Sequence, residues 1–340
     1  MPAPFRGAFV AILFFLTPVS RLVAAEPLSF RSGDTVVLTG TAIIERAQHN
    51  DHIETALQLA AGSEVTGLKF RNLGWSGDSV FADARSYFGP PREGRDRLAK
   101  TVGELKPAIV FLCHGTEIAI PTQQGWTNDP TGLSRSRAGE AESLALFVEG
   151  YGKLLDSLKE NAGAGLREVV LIAPPPLENL GAPLPDQTEN NRRLAAVRDA
   201  IRKLAETRGH RFVDLFGAMG GDSFDDKVTE TPLTDNGIHF GEAGYREIAR
   251  HLIEGVGLAP PENLIATEAK VEEMRRAIVK KNRLFFHRWR PANETYLFLF
   301  RKHEQGQNAK EIPMFDPLIA EKEKEIETLR AAVFEELRKR

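Results

Sequence analysis

The sequence predicts an α/β protein: a flavodoxin-like three-layer sandwich on a five-stranded parallel sheet, with a mainly helical C-terminal extension. Three observations predict it. Short runs rich in Val, Ile and Leu alternate with longer amphipathic stretches from residue 34 to residue 258. The runs are apolar throughout, as strands covered on both faces are. The stretches between them read as helices, and right-handed helical crossovers give a doubly wound sheet.

DTVVLTG (34–40) is the first strand and ends in a turn at Gly40; IIERAQHNDHIETALQLAAG (43–62) reads as one helix. VTGLKFRNLG (65–74) is the second strand, GRDRLAKTVGEL (94–105) a helix and PAIVFLCHG (107–115) the third strand. ESLALFVEGYGKLLDSLKENA (142–162) is a long amphipathic helix, and REVVLIAPPP (167–176) is a strand stopped by its prolines. QTENNRRLAAVRDAIRKLAETRG (187–209) is a helix closed by Gly209. HRFVDLF (210–216) is the fifth strand, and GEAGYREIARHLIEGVGL (241–258) is the closing helix.

Ala259-Pro260-Pro261 marks a boundary, which divides the chain into a sandwich over 26–258 and an extension over 259–340. In the extension, 263–289 reads as helix and 290–318 as irregular or short extended structure. Residues 319–340 read as a charged helix with Ile319, Ile326, Val333 and Leu337 along one side. That stripe suits packing on the sandwich, with self-association through this helix as the lesser alternative.

The first 25 residues differ from the rest. MPAPFRG carries one Arg, AFVAILFFLTPV is a short apolar run, and LVAA precedes Glu26. This is the pattern of a secretory signal peptide, too short for a spanning helix, with a retained anchor as the alternative. It predicts export to a bacterial periplasm or surface, with no membrane span after cleavage. The single cysteine, Cys113, forms no internal disulfide and lies in an apolar strand, as a buried small hydrophobe does. A formal net charge of −3 in 340 residues gives no electrostatic reason for a nucleic-acid partner. No cofactor motif is present, and none is expected.

Ligands of doubly wound sheets bind at the carboxyl ends of the strands. Four segments fall there: TGTAIIER, NLGWSGDSV, CHGTEIA and, before the closing helix, LTDNGIHFGEAGY. In this order they resemble the SGNH (GDSL-type) hydrolase superfamily over about residues 33–257. The resemblance implies an ester hydrolase acting on carbohydrate or lipid acyl groups. It assigns His239 as general base and the position three residues ahead, Asn236, as the group that orients it, with Asp235 alongside. It places Gly77 as an oxyanion donor. Gly115-Thr116-Glu117 stands where the superfamily has Gly-x-Asn, so Glu117 takes the place of a donating Asn. Gly40-Thr41-Ala42 stands where it has Gly-Asp-Ser, so Ala42 takes the place of the nucleophile and Thr41 that of the Asp.

A methyl group cannot attack a carbonyl, and loss of the nucleophile in serine hydrolases costs about a millionfold in turnover. An ionised Glu117 at the oxyanion site would repel developing negative charge, since that site needs donors. Two rivals to a hydrolase with an unusual route therefore stand beside it. One is an inactive relative that binds a small molecule, a glycan or an acyl-ester ligand. The other is a scaffold acting through the extension.

Literal Gly-Asp-Ser strings occur at 77–79 and 221–223. Ser79 is a candidate relocated nucleophile, and the alternative is a loop or capping residue. His114 with His239 and Glu117 would make a two-His, one-carboxylate set, but no tight ligand spacing supports a metal, and His114 is read as a pocket residue. The aromatic-rich FFHRWRPANETYLFLF in the extension suits either sugar rings or a docking core.

Overall fold

The structure is a computed structural model and describes residues 26–120, 140–224 and 228–339. Five parallel strands, β1 Thr35–Gly40, β2 Lys69–Asn72, β3 Ile109–Cys113, β4 Glu168–Ala173 and β5 Arg211–Asp214, form one sheet in the order β2-β1-β3-β4-β5. The register sets Gly40 beside Cys113 and Leu38 beside Asn72, so the strand ends that carry the first three motifs lie side by side.

Helices cover both faces. In chain order they are α1 Ala42–Ala47, α2 His52–Ala60, α3 Pro91–Leu105, α4 Thr116–Ala119, α5 Glu140–Ala162, α6 Thr188–Arg208, α7 Leu215–Ala218 and α8 Glu242–Gly255. The inward positions alternate along each strand. Val110, Leu112 and Leu171 pack with Phe147, Tyr151, Val197 and Ile201 of α5 and α6. Ile109, Phe111, Val170 and Ile172 pack with Leu57, Ile248 and Leu252 of α2 and α8. Each such side chain, fully buried, contributes about 1.5–3 kcal/mol.

The helix expected over 43–62 is two helices. Asp51 has φ 49, a left-handed conformation that Asp tolerates, and its carboxylate is buried, where Oδ1 accepts from Asn282 Nδ2 at 2.8 Å. A tertiary contact far along the chain thus fixes the break.

The extension holds α9 Glu268–Trp289, two short helices, α10 Glu294–Leu297 and α11 Lys302–Gln305, a 3₁₀ stretch Gly306–Met314, and α12 Phe315–Arg338. Residues 290–318 therefore form short helical turns where extended structure was an alternative. α9 and α12 pack on each other and on α2, where Met274, Ile278, Ile326 and Val333 bury with Leu59. Ile319 joins the sandwich core, so the stripe of the last helix is covered within the chain.

The dock also shields the edge strand β2, whose outer backbone groups would otherwise be open to pairing. Lys281 Nζ donates to Phe70 O at 3.2 Å and to both Glu54 oxygens at 2.8 Å, fully buried. Arg330 Nε and Nη1 donate to Gln58 O at 2.7 Å and Val65 O at 2.6 Å, and Nη2 to Gly62 O. These three carbonyls lie at and beyond the end of α2, where a helix needs donors. Among the described residues no helix is long and apolar enough to cross a membrane.

Candidate functional site

The first strand ends where only glycine fits. Gly40 has φ +151, and a Cβ there would lie 2.3 Å from Cys113 O. The chain then turns into α1, with Thr41 N donating to Cys113 O at 3.3 Å and Ala42 opening the helix. Tyr245 of α8 holds the turn from the other side, its hydroxyl donating to Ile43 O at 2.8 Å. Thr41, Ala42 and Arg46, with Thr116 and Tyr245, line a small cleft whose far wall is Pro175, Leu177, Ile238, His239 and Phe240. Its free volume is about 30 Å³.

His239 sits on a tight loop before α8. Thr234 and Phe240 bridge antiparallel, and Asp235 N donates to His239 O at 2.8 Å. Gly237 turns the loop at φ +85, where a Cβ would meet Glu178 O at 2.7 Å. Glu178, from the segment after β4, anchors the loop. Its carboxylate accepts from Leu233 N at 2.9 Å, Thr234 N at 2.7 Å and Thr234 Oγ1 at 2.5 Å.

The bond to the imidazole fixes its proton. Asn236 Oδ1 accepts from Ile238 N at 3.2 Å and His239 N at 2.9 Å. Two backbone donors on that oxygen leave the amide nitrogen to face the ring, and Nδ2 lies 3.1 Å from His239 Nδ1. An amide nitrogen can only donate, so Nδ1 accepts and the neutral ring carries its proton on Nε2. Burial, and then the Arg46 cation, hold the imidazole below its usual value, with Asp235 opposing.

The family model of the GDSL-like lipases and acylhydrolases matches residues 46–247, more than half of the chain. The chain belongs to the GDSL-like lipase/acylhydrolase family. The matched region begins after Ala42 and so leaves out the first motif. No curated protein matches the chain. Among solved structures, a catalytic mutant of an acetylxylan esterase from Geobacillus stearothermophilus shares 18% identity at a TM-score of 0.47, covering 68% of this chain and 98% of that one. An alpha/beta hydrolase enzyme from the metagenome of Lake Arreo, Spain, shares 22% identity at a TM-score of 0.44, covering 67% and 97%.

Of the residues that the GDSL-like pattern singles out, the fold brings Thr41, Ala42 and His239 to one cleft, with Asn236 bonded to the imidazole. Asp235 lies at the rim, 68% exposed, 3.6 Å from Arg46. Gly77 is exposed on its turn and is not among the cleft-lining residues. Glu117 was expected at the oxyanion site. Its Oε2 instead accepts from Gly115 N at 2.9 Å, and Thr116 lines the cleft. A carboxylate finds a close backbone donor in its own turn, which the sequence motif does not reveal.

His114 was expected in the pocket and is fully buried behind it, edge-on to Tyr151 at 5.7 Å. Strand alternation explains this: His114 continues the face of Val110 and Leu112, which meets α5. Ser79 is also buried; Oγ donates to Asp83 Oδ1 at 2.5 Å and accepts from Phe81 N at 3.1 Å, the role of a loop-bracing residue. Asp78 beside it pairs with the buried Arg85 at 2.6 Å. Among the described residues no group of three His, Cys, Asp or Glu side chains could hold a metal ion.

Arg46, Glu178, Asn72 and Tyr245 escaped the sequence reading. Arg46 carried a signal, since it follows Ala42 by one helical turn and must share its face. Asn72 braces α1 by donating to Ile44 O at 2.6 Å. Nothing in the spacing marks Glu178, whose role depends on a loop brought in from another strand.

Proposed function

We propose that this chain is an acylhydrolase-fold binding protein that retains the family cleft and has lost acyl transfer. The observation that carries this reading is the Asn236–His239 contact in a cleft whose nucleophile position is Ala42. A general base must present a lone pair towards the cleft. Here the lone pair is spent on the Asn236 amide, and Nε2 presents a hydrogen. The same inversion, an Asp replaced by Asn behind the histidine, costs a serine protease about 10⁴ in turnover. Added to a missing nucleophile, it leaves neither attack nor proton removal. A relocated serine has no support, because Ser79 is buried and bonded.

The ligand class is a small molecule, a glycan or an acylated compound, and no cofactor is required. Residues 1–25 are read as a cleaved secretory signal, which puts the protein in the periplasm or outside the cell. Mass analysis of exported protein should find Glu26 as the first residue.

The test is hydrolysis of an activated aryl acetate by wild type, Ala42→Ser, Asn236→Asp and the double variant. Wild type and each single variant should stay near the buffer blank. The double variant should exceed either single by at least about a hundredfold, since nucleophile and base act as a unit. Wild-type turnover abolished by His239→Ala would overturn the proposal.

A further inference from the structure

The cleft holds the guanidinium of Arg46, a side chain 37% exposed whose Nε has no bond partner among the described residues. Arg46 Nε is buried and has no acceptor among the described residues, and the nearest carboxylate, Asp235, is 3.6 Å from Nη2. The imidazole beside it turns Nε2–H outward, because Asn236 occupies Nδ1. Thr41 and Thr116 add hydroxyls, and the described lining contains no Asp or Glu. The polar groups facing this space can all donate, and a buried donor without an acceptor is costly.

The rest of the lining is apolar: Ala42, Ile43, Pro175, Leu177, Ile238 and Phe240. A water needs roughly 10–15 Å³ by this measure. The 30 Å³ available therefore suits about two oxygen-sized groups, the head of a ligand whose remainder lies towards the open side. A guanidinium and an imidazole N–H over an apolar wall match two oxygens of one planar anion with a hydrocarbon tail.

We infer that the cleft binds the carboxylate head of a short aliphatic acid, held by Arg46 and by His239 acting as a hydrogen-bond donor. This rests on the reading that the site no longer transfers acyl groups. The change from Asp to Asn behind the histidine then has a positive consequence. It converts a group that would take a proton into one that offers a hydrogen, and it removes a negative charge from an anion site. Asp235, exposed at the rim, is the one nearby competitor for Arg46 among the described residues.

The experiment is calorimetric titration of the full chain with sodium acetate, acetamide and sodium glucuronate, with aryl-acetate hydrolysis measured on the same sample. Acetate should bind saturably, and acetamide at least about tenfold more weakly, since charge-assisted bonds exceed neutral ones. Arg46→Gln should weaken acetate about tenfold or more. Asn236→Asp should weaken it similarly and move the His239 proton from Nε2 to Nδ1, read from ring-nitrogen chemical shifts. Arg46→Lys should restore part of the affinity, which separates charge from a folding defect.

Equal binding of acetate and acetamide, or an Arg46→Gln variant that binds as wild type does, overturns the inference. Preference for glucuronate overturns the aliphatic assignment. Hydrolysis by wild type would sink the non-catalytic reading instead, and absence of both turnover and acetate binding would sink the carboxylate inference alone.

Discussion

Where the extension docks, each buried cation is matched by acceptors within the chain. Lys281 meets both oxygens of Glu54 and the Phe70 carbonyl, and Arg330 meets three carbonyls around the end of α2. In the cleft, Arg46 has a buried Nε with no acceptor among the described residues and one loose pair at the rim. The dock desolvates whole cations and repays them within the fold, whereas Arg46 is 37% exposed and leaves only its buried Nε unanswered among the described residues. A cation paired inside the chain holds structure together, whereas an unanswered one is a place for something else.

The largest expected effect lies at the dock. Lys281→Met leaves Glu54 buried without its cation and should lower the unfolding free energy by about 3–5 kcal/mol. Adding Glu54→Leu should recover more than half of that loss, because a buried pair replaced by apolar groups costs little. Arg46→Gln, in contrast, should change stability by no more than about 0.5 kcal/mol. Urea unfolding of the variants measures the difference. A loss under about 1 kcal/mol in Lys281→Met would break the contrast.

His114 is the intermediate case. It is fully buried, neither ring nitrogen has a hydrogen-bond partner among the described residues, and burial followed by the Arg85 cation pushes its pKa down to about 3. The fold therefore keeps this ring neutral, while the unfolded chain takes up a proton below about pH 6.5. The unfolded state binds more protons between these values, so the contribution is whole above pH 6.5 and is lost as the pH falls towards 3. At pH 4 the loss from this group is about 3 kcal/mol. His114→Phe should remove that part of the acid sensitivity and change stability little at pH 8. Acid sensitivity unchanged by His114→Phe would show that the ring is not held neutral.

The sandwich was legible because its strands are continuous apolar runs, a signal that local sequence carries in full. Thr41, Ala42 and His239 were legible for the same reason: position at a strand end or in a Gly-rich turn fixes where a side chain must go. Where the reading erred, a non-local partner decided. Asp51 breaks a helix because Asn282 arrives from α9. Glu117 and His114 show a finer limit. One turned on its own backbone donor and the other obeyed strand alternation, and a motif written as letters records neither. The proton on Nε2 of His239 was out of reach for a related reason. It depends on which end of the Asn236 amide two backbone donors select.

The smallest effect gives the sharpest test of what Arg46 is for. Its one ion-pair partner among the described residues, Asp235, is 68% exposed at 3.6 Å, and such surface pairs contribute about 0.2–1 kcal/mol. Asp235→Asn should therefore leave the unfolding free energy within about 0.5 kcal/mol of wild type. If Arg46 served the fold, removing its only ion-pair partner among the described residues would have no further consequence. If Arg46 serves a ligand, Asp235 is a competitor, and its loss should strengthen acetate binding by about two- to fivefold, the affinity equivalent of the pair it released. The gain should fade at high salt, where exposed charges are screened, while the Arg46–carboxylate contact inside the cleft persists. An affinity that falls in Asp235→Asn would instead make Asp235 the residue that positions the guanidinium.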